Sequence, residues 1–211
     1  MQETYKITAS LINSYLYYKN GNKTEEDYNS FLNTLKNIYT ENKWTKRGTL
    51  FEKEVYKNKH GKLSQLIVPL DKQVWCEKVI TFSGMQIRIA GKLDALDKKN
   101  KIIYDIKRVD KFNEKKYSDE ATVQHLFYFF LNPDITDFYY LVVSGKYNNI
   151  DGQYIVHKKR LDEPELQKSV FNVIGEFYNF LKDNDLFELY KDNWKLVDKS
   201  SNNSKILEEF K

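Results

Sequence analysis

Asp94, Asp105 and Lys107 occupy one short stretch of the chain, residues 91–128, which ends with Gln124 and Tyr128 four residues apart. Residues 102–106 are apolar except at Asp105, the pattern of a short, largely buried strand. Side chains alternate along a strand, so Asp105 and Lys107 project to one side and Ile106 to the other. The preceding run, residues 85–96, also alternates, and the polar residues 97–100 between the two runs make a turn. A hairpin there brings Asp94 toward Asp105. Two carboxylates converging beside a lysine suit a divalent cation such as Mg2+, which takes oxygen ligands from one or two carboxylates plus a substrate phosphate. Such an ion polarises a phosphoryl oxygen and lowers the pKa of bound water. Lys107 is placed to orient that water or to balance charge on phosphorus. The structural alternative is a buried Asp105–lysine ion pair, because a buried carboxylate needs a partner. For Asp94 the alternative is an exposed strand-end acid, and for Gln124 and Tyr128 a helix–sheet seam.

Asp94, ten intervening residues, then Asp105-Ile106-Lys107 resembles the PD-(D/E)xK nuclease superfamily, and Gln124 with Tyr128 resembles the QxxxY motif of its RecB-type exonuclease branch. At i and i+4 the latter pair shares a helix face. The resemblance runs from about residue 46 to residue 144, with a weaker echo near Ser10. Leu93 stands where the family's proline precedes the first acid. Residues 47–52 resemble the family's G-x-x-x-H/E helix, with Glu52 in the acidic place.

The resemblance implies a restriction-endonuclease-like α/β fold: a central mixed sheet of four to five strands flanked by helices. It implies a metal-dependent nuclease that hydrolyses DNA phosphodiesters, an exonuclease of DNA repair, recombination or phage DNA processing. Asp94 and Asp105, with Glu52 and the Ile106 carbonyl, would hold Mg2+ or Mn2+. Lys107 would assist attack by water, and Gln124 and Tyr128 would position the phosphate. Arg108 and Lys111, in the basic stretch after the second acid, would meet phosphates. DNA is the expected partner, and a further protein of a recombination or repair complex is compatible with it. The expected setting is the cytoplasm of a bacterium or of a phage-infected cell. A structure-specific or restriction-like endonuclease, a non-cleaving nucleic-acid-binding module and a protein-interaction module stay open as alternatives.

Composition bounds these readings. At 211 residues the chain reads as one nuclease-like domain, with residues 1–45 a helical N-terminal addition, 46–160 the core and 161–211 a C-terminal helical part. A net charge of +4 permits nucleic-acid binding without demanding it. The single cysteine, Cys76, excludes an internal disulfide and the four-cysteine iron–sulfur cluster of some RecB-type relatives. No run approaches the length of a membrane span, so no membrane association is expected, and residues 1–10 carry no signal-peptide pattern.

The supporting elements follow from caps and periodicity. Thr8 or Ser10 caps a first helix, and Thr24 with Asp27 forms a capping box for a second. Tyr28, Phe31, Leu32, Leu35 and Ile38 of the second should face a core. Trp44 should pack, residues 46–57 should carry Glu52 on a helix, and His60 should be exposed. Residues 74–82 read as a strand, residues 63–70 are ambiguous, and Tyr117 or Ser118 should start the Gln124 helix. His125 points about 100° away from Gln124 and is left out of the site. Residues 137–144 and 153–158 read as strands. Val170, Phe171, Ile174, Phe177, Tyr178 and Leu181 stripe a long helix, part of residues 183–211 should dock, and residues 200–203 should be mobile.

Overall fold

The computed structural model describes residues 3–39, 42–146 and 149–196; residues 200–203 lie outside them. Its sheet runs β1 (Thr4–Thr8), β2 (Asp71–Phe82), β3 (Met85–Asp97), β4 (Ile102–Val109), β5 (Asp137–Ser144), β6 (Gly152–Lys159) and β7 (Lys195–Leu196). The helices are α1 (Ala9–Asn20), α2 (Glu25–Leu35), α3 (Lys43–Tyr56), α4 (Gly61–Ile67), α5 (Gln124–Leu131), α6 (Glu163–Asp183) and α7 (Phe187–Trp194). This mixed sheet flanked by helices is the expected α/β core. Among the described residues it has seven strands rather than four or five. The extra pair is β1 and β7, which lie in the stretches expected to be helical additions.

The long strand β3 organises the sheet. One edge of it pairs antiparallel with β2 along its whole length, from Phe82↔Met85 to Asp71↔Leu96. The other edge is shared. β1 runs parallel beside Gln86 to Ala90, and β4 runs antiparallel beside Ala95 to Asp97. Residues 91–94 therefore have no strand partner on that edge, and β3 and β4 part beyond the Ala95↔Tyr104 pair. β5 continues the sheet parallel to β4, and β6 closes it antiparallel to β5.

Alternation on β4 sends Ile103 into the larger core, with α1, α5, α6 and α7. Tyr104 and Ile106 enter a smaller core on the other face, with Phe51 and Val55 of α3 and Ile67 of α4. Several side chains depart from expectation. Trp44 and Ile38 are half exposed, because α2 stops at Leu35 and Trp44 sits in the first turn of α3 beside Lys43. His60 is half-buried, its ring against Phe51 and its Nε2 on Glu54. Ser118 ends a 3-10 turn, Glu114–Tyr117, and α5 starts at Gln124. Thr8 and Thr24 cap as expected, the latter in a capping box with Asp27.

Candidate active site

The site forms where β3 and β4 diverge. Beyond Tyr104 the backbone of β4 loses its β3 partner, and a buried N–H left unpaired is costly. The Asp94 carboxylate closes the gap: its Oδ2 accepts from the Ile106 N–H at 2.8 Å. Asp105, next in line, is 1% exposed. Its Oδ1 accepts from Gln124 Nε2 at 2.5 Å. Its Oδ2 lies 2.6 Å from Lys107 Nζ, yet the approach is off-axis and this oxygen accepts no hydrogen bond. The site thus holds a buried carboxylate oxygen whose partner is the Lys107 ammonium.

Electrostatics follow from burial. Desolvation pushes the Asp105 carboxyl pKa up, Lys107 opposes the rise, and the Asp94 carboxylate adds to it. Burial pulls Lys107 down, but Asp105 and Asp94 outweigh it and the net shift is upward. Lys107 therefore remains an ammonium, a charge and a donor rather than a base. Its side chain is 35% exposed and opens into a cleft of about 1580 Å3. Ser10 and Asn13 of α1, Lys115, Lys116, Thr122, Gln124 and Tyr140 line that cleft among others.

Gln124 and Tyr128 share the face of α5 that meets the divergence. The Gln124 amide also lies 3.4 Å from the Tyr128 hydroxyl, which donates to the carbonyl of Lys92 at 3.0 Å. Glu52 approaches from α3. Its carboxylate accepts from the Tyr56 hydroxyl and the Gln73 amide, and the Tyr56 hydroxyl also lies 2.9 Å from the Asp94 carbonyl. Burial raises the Glu52 pKa, and the Asp94 carboxylate raises it further. Arg108 faces the opposite side from Lys107: its guanidinium donates to the carbonyls of Val143 and Asn149 and lies over Phe51. Lys111 is exposed.

The structure therefore gathers Asp94, Asp105, Lys107, Gln124 and Tyr128 at the divergence, with Glu52 beside them and Arg108 turned away. Among the described residues no three His, Cys, Asp or Glu side chains close into a metal-binding cluster. The donors nonetheless fit a hard cation in kind: Asp105 offers a buried carboxylate oxygen that is ion-paired with Lys107 and accepts no hydrogen bond, and Asp94 lies beside it. Sequence reasoning passed over His125, which is 2% exposed behind the site and bonded to Tyr140 and Asp119. Its partners come from β5 and from the segment before α5, so helix periodicity gives no signal of them. No helix among the described residues is long and apolar enough to cross a membrane.

No family model matches the chain, and no curated protein matches it in sequence. Solved structures do match. That of SSO0001 aligns over 82% of this chain and 77% of its own length, with a TM-score of 0.50 and 14% identity. That of LHK-Exo, an alkaline exonuclease from Laribacter hongkongensis, aligns over 85% of this chain and 91% of its own, with a TM-score of 0.45 and 14% identity. The likeness to SSO0001 is one of fold.

Proposed function

We propose that the chain is a metal-dependent nuclease that hydrolyses DNA phosphodiester bonds, an exonuclease in DNA repair, recombination or phage DNA processing. The observation that carries this reading is the buried carboxylate of Asp105, ion-paired with the Lys107 ammonium beside Asp94 at the mouth of a cleft. Asp94 and Asp105 would hold Mg2+ or Mn2+, with Glu52 and the Ile106 carbonyl as further oxygen donors. An ion bound there supplies Lewis-acid polarisation of a phosphoryl oxygen and a more acidic water. Lys107 contributes fixed positive charge where negative charge grows on the phosphoryl oxygens, and its N–H groups orient the attacking water. Gln124 holds the Asp105 carboxylate in place and, with Tyr128, positions the phosphate. The cleft beside Lys107 accepts the DNA strand.

The test is digestion of end-labelled linear DNA, closed circles and single strands with Mg2+ or Mn2+. Linear DNA should be degraded from its ends. Asp105→Ala should abolish cleavage in a folded protein, and Lys107→Ala should slow it by about 10²–10³-fold. Full activity of Asp105→Ala sinks the assignment. Cutting of circles moves it to an endonuclease, and tight DNA binding without cutting moves it to a binding module.

A further inference from the structure

Behind Lys107 a chain of hydrogen bonds, which the site described above does not use, runs from the buried Tyr140 and His125 to the exposed Asp119. Tyr140 stands beside Asp105 in the register of β4 and β5 and is 1% exposed. It lines the cleft with Lys107 and Gln124, within electrostatic reach of both Lys107 and Asp105. Its hydroxyl lies 3.1 Å from Nδ1 of His125, and His125 Nε2 lies 3.1 Å from Oδ1 of Asp119. The same Asp119 oxygen is 2.5 Å from Lys158 Nζ on β6.

The direction of each bond follows from the acid at the end. A carboxylate paired with Lys158 only accepts, so His125 must donate to it from Nε2. In the neutral imidazole Nδ1 is then the acceptor. The Tyr140 hydroxyl therefore donates its hydrogen backward to His125. What remains toward the cleft is the Tyr140 oxygen, with lone pairs and no hydrogen. Thr122, like Tyr140, lines the cleft.

We propose that Asp119, His125 and Tyr140 form a relay that fixes the polarity of the Tyr140 hydroxyl, so that its oxygen meets Lys107 as an acceptor and positions that ammonium for phosphodiester cleavage. The relay rests on the nuclease reading above. Tyr140, His125 and Asp119 are positioning residues in it, acting through Lys107. Burial holds the His125 pKa below its ordinary value despite Asp119, so the neutral ring that the relay requires is the prevailing form at neutral pH. The other charged group facing the ring is Lys158, which favours the same form.

Two measurements on the full chain test it. Nitrogen-15 spectra of the histidines should show His125 as the neutral Nε2–H tautomer; the Nδ1–H tautomer overturns the relay. In steady-state cleavage of linear DNA, Tyr140→Phe keeps the ring and should lower kcat about 10- to 100-fold, the scale for a group that orients another, with KM unchanged. Asp119→Asn should lower kcat as well, and the double variant should be no slower than Tyr140→Phe alone. A purely structural role would move thermal stability and leave kcat of the folded fraction alone. Wild-type kcat in Tyr140→Phe, or losses that multiply in the double variant, overturn the relay while leaving the nuclease reading intact. A wild-type chain that cleaves no DNA overturns both.

Discussion

At Asp105 the cost of desolvating a carboxylate meets only partial compensation: one oxygen on Gln124, the other facing Lys107 without a hydrogen bond. His125 is the mirror case, a base kept neutral by burial, with its hydrogen bond to Asp119 too weak to reverse the shift. The sign of its linkage is definite. Its unfolded pKa is near 6.5 and its folded pKa lies lower, so the unfolded chain binds more protons as pH falls below 6.5. The contribution of His125 is thus present above 6.5 and lost progressively below it. Urea unfolding at a series of pH values should show wild-type stability falling more steeply from pH 6.5 downward than that of His125→Gln. Parallel profiles would show that the ring titrates normally. Asp105, whose pKa is raised, contributes a slope of the opposite sign in both proteins and cancels in the comparison. Alternation on one strand and a four-residue helix spacing make the proximity of Asp105, Lys107, Gln124 and Tyr128 legible in the sequence. His125 is illegible for the converse reason: it is excluded from the Gln124 face by rotation, and its partners lie on elements that no local pattern connects.

At the scale of elements, the divergence of β3 and β4 depends on how α5 packs into it. Gly91 lies in the part of β3 that pairs with β2 but has no strand neighbour on its other edge, and a methyl group there would stand 2.4 Å from Cε1 of the Tyr128 ring. The ring occupies the space a side chain would need, while its hydroxyl holds the Lys92 carbonyl. Gly91→Ala must push Tyr128 aside and should cost about 1–3 kcal/mol, the usual price of overpacking. Tyr128→Phe keeps the ring and leaves the Lys92 carbonyl unmatched, a loss of about 1 kcal/mol. The ordering of the two in urea unfolding is the check: Gly91→Ala no more harmful than Tyr128→Phe would mean that the ring is free to move. The hairpin from β3 into β4 is readable from its alternation and polar turn. The start of α5 is not. Ser118 has the chemistry of a cap, but residues 118–123 are bound sideways: Asn20 donates to the Glu120 carbonyl, Asn13 clasps Thr122 and the Val123 N–H, and Lys158 holds Asp119. Tertiary hydrogen bonds there replace the helix that local propensity favours.

Across the whole molecule, the two ends of the described chain pair with each other at the end of β3 away from the site. β1 lies parallel to β3 and leads through the Thr8 cap into α1, whose residues Ser10 and Asn13 line the cleft. β7 pairs antiparallel with β1, and α7 packs over it. Five residues of strand directly before a helix give too short a period to read, and the β1 partner on β3 lies some eighty residues away in sequence. The long stripe of α6 is legible because six of its apolar residues recur at helical spacing and are buried. Tyr190 on α7 ties these parts together. It is fully buried, its hydroxyl donates to the Lys6 carbonyl of β1 at 3.1 Å and meets the Tyr178 hydroxyl of α6 at 3.1 Å, and its ring packs against Phe177. Tyr190→Phe removes only the hydroxyl and should cost about 1–3 kcal/mol, because two buried polar partners lose their match. Tyr190→Ala also opens a cavity between α7, β1 and α6 and should cost about 3–5 kcal/mol, the range for an aromatic ring deleted from a core. If β1 is held against β3 chiefly through this contact, hydrogen exchange at the β1 amides should accelerate in Tyr190→Ala more than exchange in β5, which α7 does not support. Equal acceleration in both strands would mean that β1 opens only when the whole sheet does, and that the C-terminal segment stabilises the fold without specially bracing the wall of the site.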